Sequence, residues 1–235
     1  MKYYKTDSRR ISFREYWNIS SGFGFMAAWL CKIFGVPLKL ADGIPELVSF
    51  RERVIEAQLV PSGIAAKLNS GIIDLKKLGF DQFWFYTSKD SLIGGVAYGL
   101  QTLHSSYTTI GKVIFVSYRG RECVVVAFVS ELTDETLLGT TNNKQRFNNP
   151  PGYHVQRRLH ATATQLWELH QNRLAALSQA NSPKTISDFD RVAALEDKIS
   201  RMSYEDKIAR GIWVEMTESE VMVLRAKAVP PGTCS

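Results

Sequence analysis

The sequence predicts an α+β domain in which helices precede and follow an antiparallel meander of five to six strands. Three observations predict it. β-Branched and aromatic residues dominate from Phe80 to Asn142 between turn signals, whereas helical periodicity governs the segments on either side. The runs KVIFVSY and ECVVVAFVS are joined by a short turn containing Gly120, and so short a connection joins only antiparallel neighbours. Strands do not alternate with helices, as a parallel βαβ fold would require.

Residues 1–20 are polar with scattered Tyr and Trp, and read as an arm with one helical turn. Met26, Trp29, Leu30 and Ile33 recur at helical spacing and predict a short apolar helix ended by Gly35 and Pro37. A second helix is expected over 45–59, with Pro45 in its first turn and Leu47, Phe50, Val54, Ile55 and Gln58 along one stripe. A third follows the break at 60–63 and stops at Lys76, Lys77 and Gly79. Strands are then expected over 82–87, 96–104, 111–118, 122–131 and 136–141. Val113, Phe115, Val125, Ala127 and Val129 are assigned to one sheet face, and Ile114, Val116, Val124, Val126 and Phe128 to the other. Both faces are apolar, so both should be covered.

The Asn- and Pro-rich stretch 142–152 is a loop, and 153–158 reads as a last edge strand. Thr162 and Gln165 form a capping box for a helix with Leu166, Leu169, His170, Arg173, Leu174 and Leu177 on one side. After a polar hinge at 178–187, Phe189, Val192, Ala193, Glu196 and Ile199 mark another helix. The box Thr217–Glu220 opens a final one. A meander with a long helix after it resembles helix-grip, cystatin-like and longin-like architectures, a likeness of fold alone. The chain thus divides into a basic arm with its apolar helix (1–41), a core (42–178) and a C-terminal helical extension (179–235).

Of 235 residues, 45% are hydrophobic and 22% charged, which excludes a disordered chain. The net charge is +6, but it is concentrated. Residues 1–41 carry seven basic groups against Asp7 and Glu15, and the remainder is nearly balanced. A balanced body argues against a globular nucleic-acid-binding face and directs attention to the arm. Cys31, Cys123 and Cys234 form no disulfide or metal pattern, so a cytoplasmic, reducing setting is expected. No run of about 18 uncharged apolar residues occurs, so no transmembrane span is expected, and the apolar segment 22–36 is interrupted by Lys32.

Chemistry-bearing motifs are sparse. Gly22, Gly24 and Ala27 fit a dinucleotide-binding pattern in letters, but the strand and the parallel sheet it needs are missing, and no cofactor is expected. The four histidines have no metal-ligand spacing. Cys123 lies mid-strand with only Arg121 to activate it.

Two candidate sites remain. Asn142, Asn143 and Arg146 at a strand end, with His154 and His170, could hold a polar ligand or line a pocket between sheet and helix. Arg9, Arg10, Arg14, Trp17, Phe23, Phe25 and Trp29 combine cations with interfacial aromatics and suit docking to an anionic membrane or a protein partner through residues 1–36. The sequence therefore points to a non-enzymatic interaction or ligand-binding domain, with a pocket-type hydrolase or binding protein, and weak nucleic-acid binding through the arm, as alternatives.

Overall fold

The computed structural model describes residues 1–19, 23–36, 42–89, 96–118, 121–177 and 181–228. Gly22, Pro37, Lys39, Gly120, Cys234 and the first residues of the 178–187 hinge, which figure in the sequence reading, lie outside them.

Alternating β-branched and aromatic residues build five long strands that follow one another in antiparallel order. They are β4 (Phe80–Lys89), β5 (Val96–His104), β6 (Ile110–Tyr118), β7 (Arg121–Glu131) and β8 (Leu137–Thr141). The sheet is larger than the expected five to six strands, and it is mixed. Val54 and Ile55 form β3 against β4, and β9 (Tyr153–Arg157) lies parallel to β8, giving the order β3-β4-β5-β6-β7-β8-β9. The eleven-residue loop 142–152 makes the parallel pairing possible, because it carries the chain back along the sheet.

The expected face assignment is corrected across the β6–β7 hairpin. Tyr118 pairs with Arg121, so Val113 lies opposite Val126, and Ile114 opposite Val125. Reading a three-residue turn in place of a two-residue one shifts parity by one and exchanges the faces of β7. Val113, Phe115, Val126 and Phe128 therefore share a core with α4 (Ser62–Lys77) and with Leu166 of α5 (Ala163–Ala175). On the other face Leu103, Ile110, Val129 and Leu137 pack against Val192, Leu195 and Ile199 of α6 (Phe189–Ala209). Gly71 lets α4 approach closely, since a Cβ there would lie 2.9 Å from both Val113 methyls.

The helix expected over 45–59 is replaced by short pieces. Asp197 on α6 accepts from Phe50 N at 2.6 Å and Ser49 Oγ at 2.8 Å, which sets a single turn, α3 (Phe50–Arg53). Val54 and Ile55 then satisfy their backbone on β4, and a 3₁₀ turn over Ala57–Leu59 leads to α4. Tertiary pairing overrides local propensity here.

The N-terminus is tied in at its start. β1 (Tyr3–Thr6) is the middle strand of a second sheet, between β2 (Asp42–Pro45) and β10 (Trp213–Glu215), both antiparallel to it. Tyr3 and Tyr4 are buried there. The fold is thus α+β, with a mixed but mostly antiparallel main sheet and a small second sheet that joins the two ends of the chain. α1 (Phe13–Ile19) and α2 (Phe23–Ile33) follow β1, and α7 (Glu218–Ala228) follows β10.

Candidate functional site

His170 projects from α5 into the sheet and is wholly buried. Its Nε2 lies 3.1 Å from Ser130 Oγ and its Nδ1 lies 3.0 Å from Thr140 Oγ1, while Ser130 Oγ meets Thr109 Oγ1 at 2.8 Å. Arg173 donates to Thr140 Oγ1 at 3.1 Å, which leaves the Thr140 proton for Nδ1 and favours the Nε2–H tautomer. Burial, with the nearby Arg173 charge, pushes the imidazole down to about 3, so the ring is neutral at physiological pH. Every polar atom of the ring is bonded and none faces solvent.

The other ligand candidates do not converge on it. Asn142 Oδ1 accepts from Val126 N at 2.8 Å, extending the β7–β8 ladder. Asn143 and Arg146 are exposed on the loop, and His154 is exposed on β9. Arg173, which the sequence reading placed only on an apolar stripe, is the group between the two histidines. It reaches Thr140 on one side and donates to His154 O at 2.9 Å on the other.

The docking candidates sit on a more pointed arrangement. Glu15 of α1 is completely buried. Its carboxylate accepts from Ser12 N and Oγ, from Asn148 N at 2.8 Å, and from Arg210 Nη2 at 2.6 and 2.7 Å. Burial pushes this carboxyl up, but the donors led by Arg210 outweigh it and hold it at about 2. One buried acid therefore joins α1, the 142–152 loop and the end of α6. Phe147 of that loop packs with Ile11, Tyr16 and Ile212 in the same place. The two stretches that looked separate in sequence, the arm and the Asn-rich loop, are neighbours. Lys207, over Trp213 at 4.6 Å and Phe147 at 5.5 Å, is pushed down to about 8 by burial in the same cluster.

α2 is turned inside out relative to an ordinary surface helix. Its only charged residue, Lys32, points back into the protein. There Nζ donates to Arg9 O at 2.8 Å and to Ile11 O, and lies 5.3 and 5.6 Å from the Phe13 and Tyr16 ring centres. Met26, Trp29, Leu30 and Ile33, one helical stripe, face outward, and the exposure rises to 59% at Met26 and 53% at Ile33. Phe34 (76%) and Val36 continue the face beyond the helix, and Phe13 and Trp17 of α1 are also exposed. Phe23 and Phe25 lie in the first turn of α2, where the backbone alone is described.

Arg10 and Arg14 are exposed, as are Lys144 and Arg146 on the neighbouring loop. Arg9 is exposed too, paired to Asp7 through Nε and Nη2 at 2.9 Å. Residues 1–36 contain no other acid besides buried Glu15. Among the described residues no helix is long and apolar enough to cross a membrane, and no cluster of metal-binding side chains occurs. Comparison with protein-family models, with curated proteins and with solved structures finds no match. Lys32 and Glu15 are the residues whose roles went unread, because spacing reveals a helix stripe but not which side of it meets the protein.

Proposed function

We propose that this protein is a non-enzymatic domain that docks peripherally on an anionic membrane surface through α1 and α2, with the main sheet as its scaffold. One observation carries the reading: α2 turns its lysine inward onto the Arg9 and Ile11 carbonyls and exposes its apolar stripe. Among the described residues nothing covers this apolar stripe, and soluble monomers avoid leaving such a face in water. At a bilayer interface the same face is favourable. Each half-exposed apolar side chain gains on the order of 1 kcal/mol on insertion, and each nearby Arg or Lys adds roughly 1 kcal/mol against anionic lipid. Arg10, Arg14, Lys144 and Arg146 stand at headgroup level in this reading, and the buried Glu15 presents no carboxylate to repel the surface.

The test is co-sedimentation of the full chain with vesicles of phosphatidylcholine alone or mixed with phosphatidylserine. The reading expects binding to the anionic vesicles that weakens with salt, and little binding to the neutral ones. A protein that stays in the supernatant with both, or elutes as a stable dimer whose formation needs Trp29 and Ile33, would overturn it.

A further inference from the structure

The main sheet ends at β9, and among the described residues no strand lies beyond it. Ladder parity decides which backbone groups are left over. Gly152 O accepts from Leu137 N at 2.7 Å and Arg158 N donates to Thr141 O at 3.0 Å, so even-numbered residues face β8. Val155 and Arg157 have the opposite parity, and their N–H and C=O groups point outward from the sheet. An open groove of about 520 Å³ follows this edge, lined by residues 149–156 and Arg173.

Charge indicates what fits. Residues 136–167 include Lys144, Arg146, Arg157 and Arg158 and not one Asp or Glu. Arg157 and Arg173 are half-buried, yet among the described residues their hydrogen bonds go to neutral oxygens. Arg157 donates to Asn149 Oδ1 at 2.7 Å, and Arg173 donates to Thr140 Oγ1, Gly139 O and His154 O. Neither guanidinium joins an ion pair among the described residues. Cations held in place without a counter-charge favour an anionic partner. A second copy of this edge carries the same charge and would be repelled.

We propose that the β9 edge accepts an extended peptide strand bearing acidic side chains. Main-chain pairing at Val155 and Arg157 supplies the register; Arg157 receives carboxylates that project on the α6 face of the added strand, and Arg173 and the exposed His154 receive those on the α5 face. The site is independent of the lipid-facing helix, and its test uses no membrane.

Fluorescein-labelled peptides of alternating Val and Glu, or of alternating Val and Lys, are titrated into the wild-type full chain and followed by anisotropy. Hydrogen exchange at Val155 and Arg157 is read in parallel. The Val-Glu peptide should bind, the Val-Lys peptide should not, and both amides should exchange more slowly in the complex. Val155→Pro, which removes one outward donor at an edge that tolerates proline, should weaken binding about tenfold without lowering the melting temperature. Equal binding of the two peptides overturns the proposal, as does Val-Glu binding that leaves both amides unprotected.

Discussion

The environments of His170 and of α2 break the same rule in opposite directions. One places a polar ring wholly inside the core, and the other places an apolar stripe outside. At His170 the exception is fully compensated, because both ring nitrogens meet hydroxyls and Arg173 completes the chain. A buried polar group with all its partners is a structural element, and the His170 ring itself offers nothing to a ligand. At α2 nothing among the described residues compensates, since the one charge on the helix is spent inward on the Arg9 and Ile11 carbonyls. The lesson is that an exception the fold satisfies explains itself, whereas an exception left open points to something outside the chain.

Several variants would break or sharpen this contrast. The largest effect is expected at the satisfied site. His170→Ala leaves a cavity and strands Ser130 and Thr140, and should cost about 3–4 kcal/mol in urea unfolding. Glu15→Gln comes next, at about 3 kcal/mol, because it leaves Arg210 and Asn148 facing a neutral amide. A loss below 1 kcal/mol would show that the clamp between α1 and α6 is not structural.

Acid should reveal both buried groups in turn. His170 takes up its proton near 6.5 when unfolded but only near 3 when folded, so the folded state is disfavoured progressively as pH falls below 6.5. Glu15 is held at about 2 against 4.5 unfolded; its contribution is complete above 4.5 and disappears as pH falls toward 2. Melting temperature should therefore decline below pH 6.5 and fall more steeply below 4.5, and Glu15→Gln should remove only the added steepness. Thr140→Val, which removes one hydroxyl from the His170 chain, should cost about 1–2 kcal/mol. On α2, by contrast, Leu30→Ser should change stability by no more than about 0.5 kcal/mol.

Much of the main sheet was legible because its strands carry their own signal. β-Branched runs such as Val124, Val125 and Val126 read as strand wherever they sit, and the Thr162–Gln165 and Thr217–Glu220 boxes mark helix starts through local hydrogen bonds. Elements defined by distant partners were not legible. β1 and β10 are three to four residues long and exist through pairing across more than two hundred positions. α3 depends on Asp197, which is remote in the chain. The candidate site was half legible: Arg10, Arg14, Trp17 and Trp29 stood out by type, but the direction of Lys32 and the nearness of the 142–152 loop depend on tertiary contacts.

The central claim is that the outward face of α2 serves a lipid surface and not the fold itself. Ile33→Asp combined with Phe34→Asp tests it most directly, with thermal melting and anionic-vesicle co-sedimentation measured on the same preparation. The account predicts an unchanged melting temperature and a loss of vesicle binding of at least about tenfold, as expected when two apolar anchors become carboxylates. A fallen melting temperature, or vesicle binding equal to wild type, would contradict it.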